Sequence, residues 1–323
     1  VATAGYHRVA VELRKAASVV VCSHVKPDGD AIASVLALTL ALREMGIPTM
    51  PTLADEGDPP STYGFLPGFG LFVSASDLET PDIFVALDTP NLDRLGVAGP
   101  LATDCRTLIV LDHHPDNTGF GTVNVTDDSA AATGVMVWRL LRPLEHHPSP
   151  EVALCCWVGL MTDTGRFAYS NTTSDALHDA AEMLEAGADP AEAHRMVYEN
   201  RTLAALTLEA RVLGRITLAN RSRVAYAWVE EHDYSETGAR AEETEHLVDA
   251  IRSVGDLDIA MLLRVYADHV RVNLRAKTGF DVGAVARRWE GGGHRAAAGF
   301  TYPGDLETLL GELLPLLPGH GGR

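Results

Sequence analysis

The chain has 323 residues, 46% of them hydrophobic and 22% charged, an ordinary globular mix that excludes a disordered or collagen-like protein and is long enough for two domains with a core each. Lysine and arginine number 26 against 44 aspartates and glutamates, a formal net charge of −18; such a surface repels nucleic acid and argues against long DNA or RNA as a tracked substrate, whereas a small anion can still be drawn in by bound divalent cations. The stretch Val1 to Arg14 lacks the apolar core of a signal peptide, no apolar run reaches membrane-spanning length, and Cys22, Cys105, Cys155 and Cys156 show no C-x-x-C spacing, which predicts a cytoplasmic protein, away from any membrane, with buried reduced thiols.

In chain order, short β-branched runs first alternate with helical patterns, the signature of a parallel sheet with helices on both faces. Val19 to Cys22 reads as a buried strand. After the break at Pro27-Asp28-Gly29, apolar residues recur at helical spacing from Ala31 to Met45 and stop at Gly46. Two further strands, Ile83 to Leu87 and Leu108 to Leu111, each end directly in an acid, Asp88 and Asp112. In open parallel sheets ligands bind outside the carboxyl ends of the strands, so polar groups placed there are candidates for chemistry. Helices are expected near Ala130 to Leu141 and Glu151 to Met161, the second running into Thr162-Asp163-Thr164-Gly165.

From Ser174 to about Gly214 the pattern is almost wholly helical, broken at Gly187 and Asp189-Pro190. Residues 191–214 read as a helical bridge between a first domain, 1–190, and a second, 215–323. The second is expected to be a smaller mixed α/β unit. Its strands are Arg223 to Val229, Ile259 to Tyr266 and Val270 to Ala276, the last two a hairpin around Asp268, and its helices lie near Glu243 to Ile251 and Val282 to Trp289. The end, Pro318 to Arg323, should fray.

The first cluster with chemical promise is His24-Val25-Lys26-Pro27-Asp28-Gly29-Asp30, just past the first strand. Gly29 lets the backbone bend sharply, so His24, Asp28 and Asp30 can converge on one point. A polar loop whose Asp30 caps the following helix is the plainer reading, but it leaves His24 and Asp28 unexplained. Asp88 alone is weak, since an acid after a strand is often a turn former. Asp112-His113-His114-Pro115 is stronger: consecutive side chains diverge, so one histidine suits a metal while the other faces a ligand or a hydrogen-bond partner. Asp163 sits where a helix C-terminus disfavours negative charge unless something compensates, and a metal ion would. The pair His146-His147, among Pro143, Glu145 and Pro148, reads as surface.

Together these blocks hold five aspartates and at least two histidines, enough for two octahedral-type cations sharing a bridging carboxylate. An oxygen-rich set with some imidazole suits Mn²⁺, or Mg²⁺, better than a structural zinc. Two such cations about 3.5 to 4 Å apart activate a water and stabilise charge on both the attacking and the leaving oxygen, which points to phosphoester hydrolysis. The last motif is Gly291-Gly292-Gly293-His294-Arg295 leading into Ala296 to Gly299. Its backbone N–H groups allow close approach of an anion, and His294 with Arg295 can add positive charge.

In this order the motifs resemble the DHH family of phosphoesterases with a C-terminal DHHA1 domain, in particular its short members with oligoribonuclease, 3′-phosphoadenosine 5′-phosphate phosphatase and cyclic dinucleotide phosphodiesterase activities. The similarity covers nearly the whole chain; Ala33-Ser34 stands where glycine-serine is frequent, a small residue in either case. The resemblance implies that His24, Asp28 and Asp88 hold one metal, and that Asp30, Asp88, His113 and Asp163 hold the other, with Asp88 as the bridge. It implies that His114 faces the phosphate, that Asp112 orients the histidines, and that Gly292, Gly293, His294 and Arg275 contact substrate. It also implies two domains facing each other across a cleft, and a homodimer.

The function expected is two-metal hydrolysis of small nucleotides. Within the same superfamily the alternatives are a single-strand exonuclease, a pyrophosphatase and a polyphosphatase; outside catalysis, the alternative is a metal-loaded nucleotide receptor.

Overall fold

In the computed structural model of the chain, which describes residues 2–244 and 247–319, two units enclose separate cores, Val1–Asn200 and Arg201–Arg323. Five strands build the first: β1 (Val19–Cys22), β2 (Thr49–Pro51), β3 (Ile83–Leu87), β4 (Thr107–Asp112) and β5 (Val123–Thr126). They lie in the order β2-β1-β3-β4-β5, and every pairing is parallel. The helices are α1 (Ala2–Leu13), α2 (Gly29–Glu44), α3 (Gly99–Asp104), α4 (Thr133–Leu141), α5 (Pro150–Asp163), α6 (Ser174–Glu185) and α7 (Pro190–Tyr198).

The inner strands β1, β3 and β4 are buried on both faces, which is why they read as continuous apolar runs. Val19, Val21, Val85, Ile109 and Leu111 pack with α1, α2, α4 and α5. Val20, Cys22, Phe84, Ala86 and Val110 pack on the other side with Leu101 and Ala102 of α3 and with Leu95. Each of the larger of these side chains, such as Val21, Ile109 or Phe84, contributes about 1.5 to 3 kcal/mol by leaving water. The strand order reverses between β1 and β3, so their carboxyl ends open on the switch point where α/β sheets bind ligands.

Helix α2 starts two residues earlier than the apolar pattern indicates. Asp28, not Asp30, is its cap, accepting the Ala31 N–H at 3.1 Å, and Asp30 is freed to stand in the first turn as a buried acid. The strands β2 and β5 were not legible: one is three residues ending in proline, the other a half-buried edge, Val-Asn-Val-Thr.

The second unit holds a six-stranded mixed sheet of β6 (Thr217–Ala219), β7 (Val224–Glu230), β8 (Ile259–Val265), β9 (Val270–Ala276), β10 (Gly292–His294) and β11 (Ala297–Tyr302), ordered β10-β11-β9-β8-β7-β6. Only β7 and β8 run parallel. Its helices are α8 (Leu203–Leu213), α9 (Glu231–Thr237), α10 (Leu247–Arg252), α11 (Val282–Ala286) and α12 (Leu306–Leu313). The stretch 191–214 divides between the units: Ala193 of α7 is buried in the first core, while Leu208 and Val212 of α8 are buried in the second. Asp233 of α9, fully buried, accepts from Arg215 at 2.7 Å, from Arg211 at 3.2 Å and from the Glu230 N–H at 2.9 Å.

Glu245 and His246, within the helix expected from Glu243 to Ile251, and His320 to Arg323 of the expected frayed end lie outside the described residues. No helix among the described residues is long and apolar enough to cross a membrane.

Candidate metal centre

The carboxyl ends of β1, β3 and β4 and the last turn of α5 supply the first unit's cluster. His24 follows β1, Asp28 and Asp30 open α2, Asp88 follows β3, and Asp112 ends β4 ahead of His113 and His114. Asp88 takes a left-handed backbone, φ 55°, while its N–H still bonds the Leu111 carbonyl at 3.0 Å, so the turn out of the strand occurs at the acid itself. Asp163 is the last residue of α5. It is brought in by the close approach of α5 to α2, where a Cβ on Gly29 would stand 2.6 Å from the Thr162 side chain.

Asp88 presents its two oxygens in two directions. Oδ2 lies 3.4 Å from His24 Nε2, and Oδ1 lies 3.4 Å from His113 Nε2. His113 Nε2 is also 3.4 Å from Asp163 Oδ2. These gaps exceed a good hydrogen bond and match the spacing of two atoms sharing one cation at about 2.1 Å. Donor atoms of His24, Asp28 and Asp88 lie within 4.8 Å of one another, as do those of Asp30, His113 and Asp163, and those of Asp88, Asp112 and His114.

The imidazoles are held so that Nε2 faces the cluster. His24 Nδ1 sits 2.8 Å from the Val25 carbonyl and His113 Nδ1 sits 3.2 Å from the Ala130 carbonyl, contacts that a protonated Nδ1 makes and that leave Nε2 with a lone pair. His114 Nδ1 meets Asp112 Oδ1 at 2.8 Å. Asp112 is wholly buried and its other oxygen accepts from Asn117 Nδ2 at 2.6 Å, so its carboxylate is spent on orienting neighbours.

Asp30 is gripped by the start of α4. Its Oδ2 accepts the Thr133 N–H at 2.6 Å, and its Oδ1 accepts the Gly134 N–H and the Ser34 hydroxyl, both at 2.9 Å. The Thr133 hydroxyl donates to Asp88 Oδ1 at 3.1 Å.

Without a cation the electrostatics are in conflict. Burial, then the charges of Asp88 and Asp163, push Asp30 well above the usual carboxylate range. Burial also raises Asp163; with His113 pulling down and Asp28 and Asp88 pushing up, it stands at about 7. Asp88 goes the other way, because His113, His24 and His114 outweigh the effect of burial and hold it well below. Burial disfavours protonation of His24, yet the Asp88 and Asp28 carboxylates lift it to about 9. Buried carboxylates that repel one another, beside imidazole nitrogens facing the same point, are the donor set a hard divalent cation satisfies.

Thr133, Gly134, Ser34 and Asn117 position the cluster; Ser34 belongs to the Ala33-Ser34 pair of the first motif, while the other three carry no distinguishing pattern in the sequence. Of the pair expected at the surface, His147 is exposed, whereas His146 is partly buried, its Nε2 2.8 Å from Glu44.

In the second unit the glycine run is not an open loop. Gly292 to His294 form the edge strand β10, paired antiparallel to β11, with Gly293 at φ 126°. A Cβ there would stand 2.5 Å from the Ala297 carbonyl, so only glycine fits. His294 pairs with Ala297, which pairs in turn with Arg275 of β9. Arg275 and His294 therefore stand on one face of the sheet, two strand spacings or about 10 Å apart, with an alanine between them.

A family model described as the DHH family, N-terminal domain, matches residues 18–160, and a DHHA1 domain model matches residues 221–316. The chain is similar to the bifunctional oligoribonuclease and PAP phosphatase NrnA of Thermus thermophilus, 32% identical over 95% of this chain and 92% of that protein. It is also similar to the protein of the same description from Bacillus subtilis, 26% identical over 91% and 95%. In structure it resembles an exopolyphosphatase-related protein from Bacteroides fragilis with a TM-score of 0.88 at 23% identity, covering 96% and 94% of the two chains; this shows a common fold.

Proposed function

Because the chain belongs to the DHH family, carries a DHHA1 domain and is accordingly a hydrolase of phosphoester bonds, we propose that its substrates are small nucleotides: linear or cyclic dinucleotides, short oligoribonucleotides and 3′-phosphoadenosine 5′-phosphate. The relatives named for both oligoribonuclease and phosphatase activity span nearly the whole chain, which supports this substrate range. The carrying observation is the two-sided placement of Asp88, 3.4 Å from His24 on one side and 3.4 Å from His113 on the other.

In this reading His24, Asp28 and Asp88 hold one divalent cation and Asp30, Asp88, His113 and Asp163 a second, Mn²⁺ before Mg²⁺. When bound, the cations supply Lewis-acid polarisation of the phosphoryl group and a more acidic water. His114, its Nδ1 fixed by Asp112, offers Nε2 to a phosphate oxygen and holds a proton there. Arg275, Gly292, Gly293 and His294 bind and orient the rest of the nucleotide, which lowers the barrier by positioning. The enzyme works as a cytoplasmic homodimer.

The test is turnover of linear dinucleotides, cyclic dinucleotides and 3′-phosphoadenosine 5′-phosphate by the purified chain with Mn²⁺. Hydrolysis of at least one of these, in preference to twenty-nucleotide RNA, is expected. Binding of all three without turnover would instead establish a receptor.

A further inference from the structure

We infer that Arg94, whose backbone is bonded to the residue that follows His24, is a substrate-binding residue of this centre and that its guanidinium takes an anionic oxygen of the phosphate. This rests on the reading that the centre handles phosphate esters.

Arg94 lies in the 3-10 segment Leu92–Ala98 that follows Asp88. The segment is pinned against the loop that carries His24. The Val25 N–H donates to the Arg94 carbonyl at 2.8 Å, and the Val97 N–H donates to the Ala54 carbonyl at 2.9 Å. At Gly96, φ 45°, an added Cβ would stand 2.8 Å from Val25 Cγ1 and 2.2 Å from the Ala54 carbonyl oxygen. Asn91 caps the segment, its Oδ1 accepting the Arg94 N–H at 3.2 Å. The backbone of Arg94 is thus fixed against the neighbour of a residue placed in the cluster.

Its side chain has no counterpart. Among the described residues the half-buried guanidinium makes no ion pair and no hydrogen bond, and Nε is buried without a partner. Other arginines of this acidic chain take carboxylates: Arg106 with Asp82, Arg139 with Asp179, Arg215 with Asp233, Arg223 with Asp258. A guanidinium cannot shed its charge, and leaving a buried donor unpaired is costly. Among the described residues no carboxylate of the centre pairs with it. An anion with several oxygens, delivered to the centre from outside, meets both needs, since the planar fork suits phosphate.

Inorganic phosphate is the probe, titrated calorimetrically into the Mg²⁺-loaded full chain. Arg94→Gln should weaken phosphate binding about tenfold or more, as loss of a charge-assisted pair does, and raise KM for a dinucleotide while metal content and Tm stay at wild-type levels. Arg94→Lys should recover part of the affinity. Unchanged phosphate affinity in folded Arg94→Gln overturns the inference; so does a loss matched by lost metal in both variants, which marks a structural pin. Should Arg94→Gln not fold, the Nε–H resonance of Arg94 in the wild-type protein, identified by its absence from Arg94→Lys, decides. Phosphate should shift it, and no shift overturns the inference. A wild-type protein that binds phosphate through Arg94 but hydrolyses no nucleotide would count against the proposed function alone.

Discussion

The Asp30 carboxylate accepts the Thr133 N–H at 2.6 Å, so an acid in the first turn of α2 caps the start of α4. The centre and the helix packing therefore share one side chain, and anything that shifts α2 against α4 shifts a carboxylate of the candidate metal centre.

Gly159 of α5 makes that crossing possible: a Cβ there would stand 2.4 Å from Asp30 Oδ1. Gly159→Ala should displace the carboxylate, cost about 1 to 3 kcal/mol of stability as overpacking does, and lower metal affinity. Thermal unfolding and metal analysis check both, and full metal content at unchanged Tm would contradict the assignment.

Asp88→Ala removes the group that faces both His24 and His113. Hydrolysis should vanish and bound metal should fall, because the two sides of the cluster lose their common oxygen donor. Near-normal turnover with two ions per chain would refute the bridge.

In the proposed function Asp112 acts through His114, whose Nδ1 it meets at 2.8 Å. Asp112→Asn should leave metal content intact and lower kcat by about 10- to 100-fold, the usual effect of losing an orienting partner, with a changed pH profile because His114 loses the charge that raises its pKa. A variant that loses metal instead would make Asp112 a ligand.

In the second unit, Gly293→Ala forces a Cβ onto the Ala297 carbonyl at φ 126°. Metal binding by the first unit should persist while kcat/KM on dinucleotides falls. An unchanged kcat/KM in the folded variant would remove β10 from substrate binding.

Stability should carry an acid-dependent step at Asp233. Burial alone would raise its pKa, but Arg215, the Glu230 N–H and Arg211 depress it far below the usual range. A depressed carboxylate contributes stability that is complete above about pH 4, its unfolded value, and is lost as pH falls towards the folded value. Asp233→Asn should cost about 3 kcal/mol at pH 7, as breaking a buried pair does, and the gap from wild type should close as the pH drops below about 4. Stability measured across that range checks the sign.

The acids and histidines that the fold gathers stand out in the sequence because β1, β3 and β4 are apolar runs followed closely by His24, Asp88 and Asp112–His114, a contrast that one-dimensional pattern carries well. Other features were not. The left-handed turn at Asp88, the grip of Thr133 and Gly134 on Asp30, and the clearance at Gly159 arise from chain segments far apart in sequence. The strand β10 has almost no side chains to declare it. Asp30 reads as a possible cap because helix propensity is silent on which of two neighbouring acids turns inward. Arg94 has no motif, and its solitude shows only in three dimensions.

The approach of Gly29 to Thr162, which seats Asp163, joins the opening of α2 to the final turn of α5 across most of the first unit's chain. Loop-closure entropy disfavours early formation of contacts with such sequence separation. A half-folded chain has no complete centre to offer, so a bound cation should retard unfolding far more than it hastens folding. Chelator would then shorten the native lifetime of the protein while leaving its refolding rate nearly untouched.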